Sequence, residues 1–336
     1  MGFVEDFIPH CSPSLYDEVI AGLRQVPRSI PCKYFYDERG SQIFNQICGL
    51  EEYYPTRTEI EITKDYAPNI ADYIGEEACL VELGAGDGIK TRHIVSHLDR
   101  PAVYVPVDIS PTALQRCARR FSEDFPDIEV QPICADYTGD WSLPSFEVPG
   151  RTVFYYPGST LGNFSHQAAG SFLKTLAALA GADGGLLIGI DLHKDRAILE
   201  AAYNDSLGIT ADFNLNLLRR INRECNADFD LSLFRHHAVY DEDHQRIEMR
   251  LVSTSEQVVL IGDESFAFDE GEIIITEHSH KYTIEGFARL AESADWLVRA
   301  LWTDKDQLFS LWYLESNSAN TINLHGNGIA LLPDGE

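Results

Sequence analysis

One stretch restricts this chain more than any other: LVELGAGDGIK, residues 80 to 90. Leu80, Val81 and Leu83 read as a buried strand that stops at Gly84, and glycines 84, 86 and 88 lead into a helix beginning near Lys90. Glycine at alternate positions keeps side chains out of the way, so a ligand can lie against bare backbone at a helix N-terminus. The pattern predicts a strand of a parallel sheet with a nucleotide-type ligand at its carboxyl end.

A dinucleotide site favours G-x-G-x-x-G/A, with a small last residue and a helix start free for the pyrophosphate. Here Ile89 takes the sixth position, and the carboxylates of Glu82 and Asp87 flank the turn. They would repel a pyrophosphate. An acidic glycine turn suits a cationic ligand without phosphate, and S-adenosylmethionine, with its sulfonium and ammonium groups, is the common one.

After the turn, strands and helices alternate at the pace of a doubly wound sheet. A second strand, about 103 to 107, ends at Asp108, where an acidic residue holds ribose hydroxyls. A third, about 128 to 133, leads to Asp136, placed to accept a hydrogen bond from an adenine amino group. The fourth, 152 to 156, runs into PGSTLGN, residues 157 to 163, with backbone donors from Gly158 and an amide at Asn163. The fifth, GGLLIGIDL, ends at Asp191. Asp108 and Asp136 could each merely cap a turn, and Asn163 a helix. Their place on the edge where such sheets bind ligands favours function.

The flanking segments read differently. Ser14 and Ser41 could each cap a short helix, and a longer helix spans about 59 to 74. Between them lie Tyr34-Phe35-Tyr36 and Tyr53-Tyr54-Pro55, which fit core packing or a substrate wall. Residues 195 to 233 read helical, and strands at 246 to 253 and 272 to 282 alternate with period two. The second strand puts Glu277 and Ser279 on one face, as a receptor for ring N–H groups or facing water, and His278 and His280 on the other. No third ligand accompanies the histidines, so no metal is expected. A helix at 283 to 292 and strands at 297 to 302 and 308 to 314 close the sheet with an antiparallel edge, an ending of methyltransferases rather than dehydrogenases.

The formal net charge of −27 argues against nucleic acid or an anionic membrane as partner. Seven cysteines are scattered without a Cys-x-x-Cys pair, and there is neither an apolar run long enough to span a bilayer nor a signal sequence at the N-terminus. A cytoplasmic protein with reduced thiols is expected.

Taken together, KYFYD (33 to 37), EYYPTRTE (52 to 59), VELGAGDGIKTR (81 to 92), ADY (135 to 137), PGSTLGN, AYNDSLGITADFN (202 to 214), RIEM (246 to 249) and TEHSHKY (276 to 282) resemble the histidine Nα-methyltransferases of ergothioneine biosynthesis. The resemblance runs in order from about residue 33 to 314. It implies a Rossmann-like methyltransferase fold with a seven-stranded sheet, the last strand antiparallel. It also implies a discontinuous α+β substrate domain: residues 58–194 and 283–336 would form the cofactor domain, and 1–57 with 195–282 the substrate domain. By the same resemblance, Gly84, Gly86, Lys90, Asp108, Asp136 and Tyr137 surround S-adenosylmethionine. Tyr53, Gly158, Asn163 and Tyr203 hold the amino acid, Glu277 and Ser279 bind its imidazole beside Met249, and Tyr36 and Tyr203 are the catalytic pair. The implied activity is trimethylation of L-histidine to hercynine by a monomer without metal. The alternatives are the same fold methylating tryptophan or a derivative, or a binding module without catalysis.

Overall fold

The computed structural model describes residues 14–317 except 87, 140 and 145–148. Asp87 and nearly all of the Asn/Gly-rich tail therefore lie outside the described residues. In chain order the strands are β1 (Arg28–Ser29), β2 (Cys79–Leu83), β3 (Val103–Asp108), β4 (Glu129–Val130), β5 (Ile133–Cys134), β6 (Thr152–Tyr156) and β7 (Gly185–Asp191). They continue with β8 (Phe234–Asp241), β9 (Arg246–Ser253), β10 (Gln257–Ile261), β11 (Glu264–Phe268), β12 (Ile273–His280), β13 (Trp296–Thr303) and β14 (Phe309–Ser316).

The main sheet runs β13-β14-β7-β6-β2-β3-β4, with β5 also pairing with β3. From β4 to β7 it is parallel, and β14 lies antiparallel between β7 and β13. The expected third strand is broken into β4 and β5 at Gln131-Pro132, because proline has no N–H to give the ladder. Helices cover both faces. Tyr54–Ile74, Ile89–Val95 and Pro111–Asp124 bury Ile62, Ile70, Ile94 and Phe121 on one side, while His166–Ala180 and Ile284–Ser293 bury Leu173, Leu176 and Phe287 on the other. At about 1.5–3 kcal/mol per fully buried aliphatic side chain, these faces outweigh the helix caps, worth about 1 kcal/mol each.

The long helix starts at Tyr54 rather than at Glu59, with Pro55 in its first turn where a missing N–H costs nothing. Fully buried Glu59 on this helix packs against β7: a Cβ at Gly189 would stand 2.4 Å from Glu59 Oε1 and 2.9 Å from the Phe309 ring. We expect Gly189→Ala to lower stability by roughly 1–3 kcal/mol, read as a shift in denaturant midpoint. An unchanged midpoint would mean that the helix is not pressed onto β7.

A second sheet, β1-β12-β9-β8, and the hairpin β10–β11 lie apart from the main sheet, with β1 supplied from before it in the chain and the rest inserted between β7 and β13. Where one helical stretch to residue 233 was expected, the chain forms helices Arg196–Tyr203 and Ile209–Glu224 and a short turn of 3-10 helix at Leu231–Leu233. The break falls at Asp205, whose carboxylate takes the N–H groups of Ile209 and Thr210. Helices Leu15–Leu23 and Glu38–Ile47 share one core with this sheet through Val19, Phe35, Ile43, Leu217, Leu251 and Ile274. Ser14 caps the first of them as expected, whereas Asp37, not Ser41, caps the second. The two sheets are stitched by a main-chain bridge at Leu192 and Tyr282: Tyr282 N–H donates to Asp191 O (3.1 Å) and His193 N–H to Tyr282 O (3.0 Å). No helix among the described residues is long and apolar enough to cross a membrane.

Candidate active site

The glycine turn is built from backbone. Gly84 and Ala85 N–H donate to Val107 O (2.8 and 3.2 Å), and Gly86 N–H to Asp108 Oδ2 (3.0 Å). Gly84 sits at φ +72°, and a Cβ there would come 3.2 Å from the Tyr137 hydroxyl; one at Gly86 would meet nothing nearer than Gly84 O at 4.0 Å. The surface over the turn is therefore bare backbone walled by a phenol. Asp108 Oδ1 accepts from Ser110 N–H (2.8 Å), which leaves each carboxylate oxygen another lone pair. Burial raises the Asp108 pKa, against the pull of these N–H groups. Such a set fits a nucleoside with a diol and no phosphate. Glu82 does not belong to it: its carboxylate is buried beside Tyr104, on the face covered by helices Ile89–Val95 and Pro111–Asp124, and takes the Tyr104 hydroxyl.

Asp136 both closes a turn and pairs across the chain. One oxygen accepts from Thr138 N–H (3.0 Å), the other from Lys33 Nζ (3.0 Å), and Lys33 also reaches Glu18 (2.9 Å). Burial of Asp136 works against ionisation, but Thr138 and Lys33 outweigh it and hold the pKa below the usual carboxylate value. Tyr137 presents its ring edge to Tyr156 at 5.8 Å.

Lys90 is ion-paired with Glu59, whose Oε2 also accepts Gly158 N–H (2.9 Å). The next residue, Ser159, has φ +56°, a conformation L residues seldom adopt, and it is pinned there as its Oγ accepts Asp191 N–H (2.9 Å). Asn163 is not a helix cap, since Ser165 takes that place with Ala168 N–H. The loop packs directly on β12: a Cβ at Gly162 would be 2.8 Å from His280 O.

β12 carries a bulge between Ile275 and Glu277, after which Glu277 stands opposite Met249 on β9 and shares its face with Ser279. Cys32, Tyr36, Tyr53, Asn163 and Glu277 keep accessible surface although the first three and Glu277 lie deep in the protein, the mark of an inner wall. The Cys32 thiol, pushed up to about 12 by burial and then by Glu277, is within hydrogen-bonding reach of Asn163. Rings continue the wall, with Tyr53 and Tyr203 at 6.1 Å and Tyr36 and Phe44 at 5.5 Å. Burial also raises Tyr36, with Glu277 next, and Tyr53, with Tyr203 next, so both stay neutral phenols. Glu277 itself is pushed up to about 7 by burial, with Lys281 pulling the other way, and its carboxylate has no hydrogen-bond partner among the described residues. Tyr36, Tyr53, Tyr203, Asn163, Met249, Glu277 and Ser279 thus meet in one recess. Gly158 joins it to Lys90, and Tyr137 joins it to Gly84.

The sequence reading missed what lies behind the recess. Lys281 is fully buried and donates to Asp191 Oδ2 (2.7 Å), Ser279 Oγ (2.9 Å) and Tyr203 Oη (3.1 Å). The other oxygen of Asp191 takes Lys194 (2.5 Å), and the Tyr54 hydroxyl donates to the same carboxylate (2.8 Å). Burial would raise Asp191, yet Lys281 and Lys194 overcome it and keep it ionised, while burial brings Lys194 down to about 8. The signal was present: the alternation that singles out Glu277 and Ser279 also selects Lys281. Among the described residues, no group of three or more His, Cys, Asp or Glu side chains could hold a metal, His278 and His280 included.

A family model described as "Histidine-specific methyltransferase, SAM-dependent" matches residues 15–316. A histidine N-alpha-methyltransferase from Mycobacterium tuberculosis is 38% identical over 306 residues, covering 89% of this chain and 94% of that one. Ergothioneine biosynthesis protein 1 of Neurospora crassa is 31% identical over 286 residues, 82% of this chain and 32% of that one. An L-tryptophan methyltransferase from Psilocybe serbica is 26% identical over 343 residues, 91% of this chain and 94% of its own.

Proposed function

Because this chain belongs to the histidine-specific, S-adenosylmethionine-dependent methyltransferases, we propose that it methylates the α-amino nitrogen of L-histidine three times. The product is hercynine, and the step is the first of ergothioneine biosynthesis. The chain is an S-adenosylmethionine-dependent N-methyltransferase. The observation that carries histidine as acceptor is Glu277, a deep carboxylate without a described hydrogen-bond partner, beside Ser279 and opposite Met249. A ring N–H satisfies it by a charge-assisted bond. An indole, the second reading, offers one N–H on a larger ring and no second ring nitrogen for Ser279.

Gly84, Gly86, Asp108, Asp136 and Tyr137 would hold S-adenosylmethionine, with Lys90 beside them. When bound, it supplies an electrophilic methyl group on a sulfonium centre. Asn163 and the backbone at Gly158 fix the histidine carboxylate, while Tyr53 and Tyr203 orient the amine. Orientation of this kind can account for about 7–11 kcal/mol of a barrier. Tyr36 and Tyr203 are the catalytic pair as neutral hydrogen-bonding phenols rather than phenolate bases, since burial holds both protonated. As the nitrogen becomes a fixed cation, aromatic faces accommodate its charge. We assign residues 58–194 and 283–336 to the cofactor domain and 1–57 with 195–282 to the substrate domain. We place the protein in the cytoplasm as a monomer that uses no metal.

Incubation with histidine and S-adenosylmethionine tests the reading, with mass gains of one, two and three methyl groups expected; no gain at high enzyme concentration rejects it. A pH effect also follows. Ionised Glu277 accepts a ring N–H by the stronger, charge-assisted bond, and its pKa of about 7 means that histidine affinity falls as pH drops through 7. Lys281, Cys32, Tyr36, Tyr53 and Tyr203 face this carboxylate, and none of them gains or loses charge there: burial keeps the thiol and phenols protonated and Asp191 keeps Lys281 charged. Glu277→Gln should abolish that part of the calorimetric pH profile, leaving only the titration of histidine itself. Superimposable profiles would remove Glu277 from ring recognition.

A further inference from the structure

The hydrogen bonds behind the recess have a fixed direction. A lysine ammonium carries three donors and no acceptor, and Lys281 uses all three, on Asp191, Tyr203 and Ser279. Tyr203 Oη, having accepted from Lys281, donates its hydrogen to Ser279 Oγ (2.9 Å). Ser279 Oγ therefore accepts twice, from Lys281 and from Tyr203, and both of its lone pairs are engaged. Its own hydrogen has no acceptor among the described residues, and toward the recess Ser279 can only donate. Glu277, one step along the same strand face, accepts most strongly once ionised.

We propose that Lys281 is a positioning residue that fixes Ser279 as a donor, so that Glu277 and Ser279 select a neutral imidazole: one ring N–H bonds to Glu277 and the bare nitrogen of the same ring accepts from Ser279. This rests on histidine being the substrate. An imidazolium has no bare nitrogen, and its second N–H would confront the Ser279 hydrogen. Lys281 touches neither substrate nor cofactor in this scheme; it acts through Ser279 and Tyr203, while Asp191, shared with Lys194 and Tyr54, holds the ammonium in place.

The direct test uses the unaltered protein. Ring-labelled [15N]histidine is bound in the presence of S-adenosylhomocysteine, and nitrogen chemical shifts are recorded between pH 6 and 8. One protonated and one bare ring nitrogen is the expected result, and two protonated nitrogens overturn the proposal. Absence of any bound histidine signal withdraws the substrate reading, and this inference with it. A second measurement compares histidine with 2- and 3-pyrrolylalanine, which keep the N–H at the δ or the ε position and replace the other ring nitrogen by C–H, the better of the two serving as the reference. The wild type should prefer histidine in kcat/KM by about tenfold, the worth of one such hydrogen bond. Lys281→Met should reduce that preference to within about threefold while S-adenosylmethionine affinity is kept, and Lys281→Arg should restore part of it. If Lys281→Met keeps the full preference, the lysine does not set the direction of Ser279. Should Lys281→Met fail to fold, Ser279→Ala gives the same ratio test, with an undiminished preference again overturning the proposal.

Discussion

Replacing Glu277 by alanine lowers kcat/KM for histidine by about one to two orders of magnitude and leaves S-adenosylmethionine affinity within about twofold. The size follows from the bond removed: a charge-assisted hydrogen bond is worth about 1.5–3 kcal/mol, and about 1.4 kcal/mol is tenfold. The selectivity follows from position. Glu277 lies on β12 beyond the loop 157–163, whereas Gly84, Gly86 and Asp108 lie at the ends of β2 and β3. Calorimetry with each ligand separately makes the comparison, and equal losses of both would strip Glu277 of its role.

Asp108→Ala is expected to act at the other end. It removes the acceptor assigned to the ribose hydroxyls and also frees Gly86 N–H and Ser110 N–H, so cofactor affinity falls by about 10- to 100-fold. Asp108→Asn separates the two effects, because its side-chain oxygen can still take one of those N–H groups without the charge. Unchanged S-adenosylmethionine affinity in the alanine variant would exclude Asp108 from the nucleoside site.

The parts of the fold that could be read directly were those with a strong period. The β2 junction, the parallel strands β3, β6 and β7, and the antiparallel closure by β14 appear where the apolar runs placed them. Less legible were β8, whose run Arg235-His236-His237 breaks the apolar alternation, and the hairpin β10–β11, whose strands are only five residues each; both β8 and β10 pair with the next strand in the chain. The bulge before Glu277 was invisible to a simple alternation count, although the face it yields agrees with that count. In the proposed site, the side chains assigned to the ligands were named from motifs, but those that hold them were not. Glu59 and Lys281 lie inside quoted motifs, EYYPTRTE and TEHSHKY, and neither was singled out, because a buried charge shows its partners only when the chain has folded. Ser159 is similar: nothing in PGSTLGN announces a left-handed serine held by the end of β7.

The bridge between Leu192 and Tyr282, with Gly162 seated on the His280 backbone, means that the strand assigned to the ring and the loop assigned to the carboxylate share one stiff frame. The span between them cannot stretch to suit a visitor. Such a frame acts as a gauge of length as well as of chemistry: an amino acid with one methylene more or fewer could satisfy Glu277 or Asn163, but not both with its nitrogen still aimed at the edge of the main sheet.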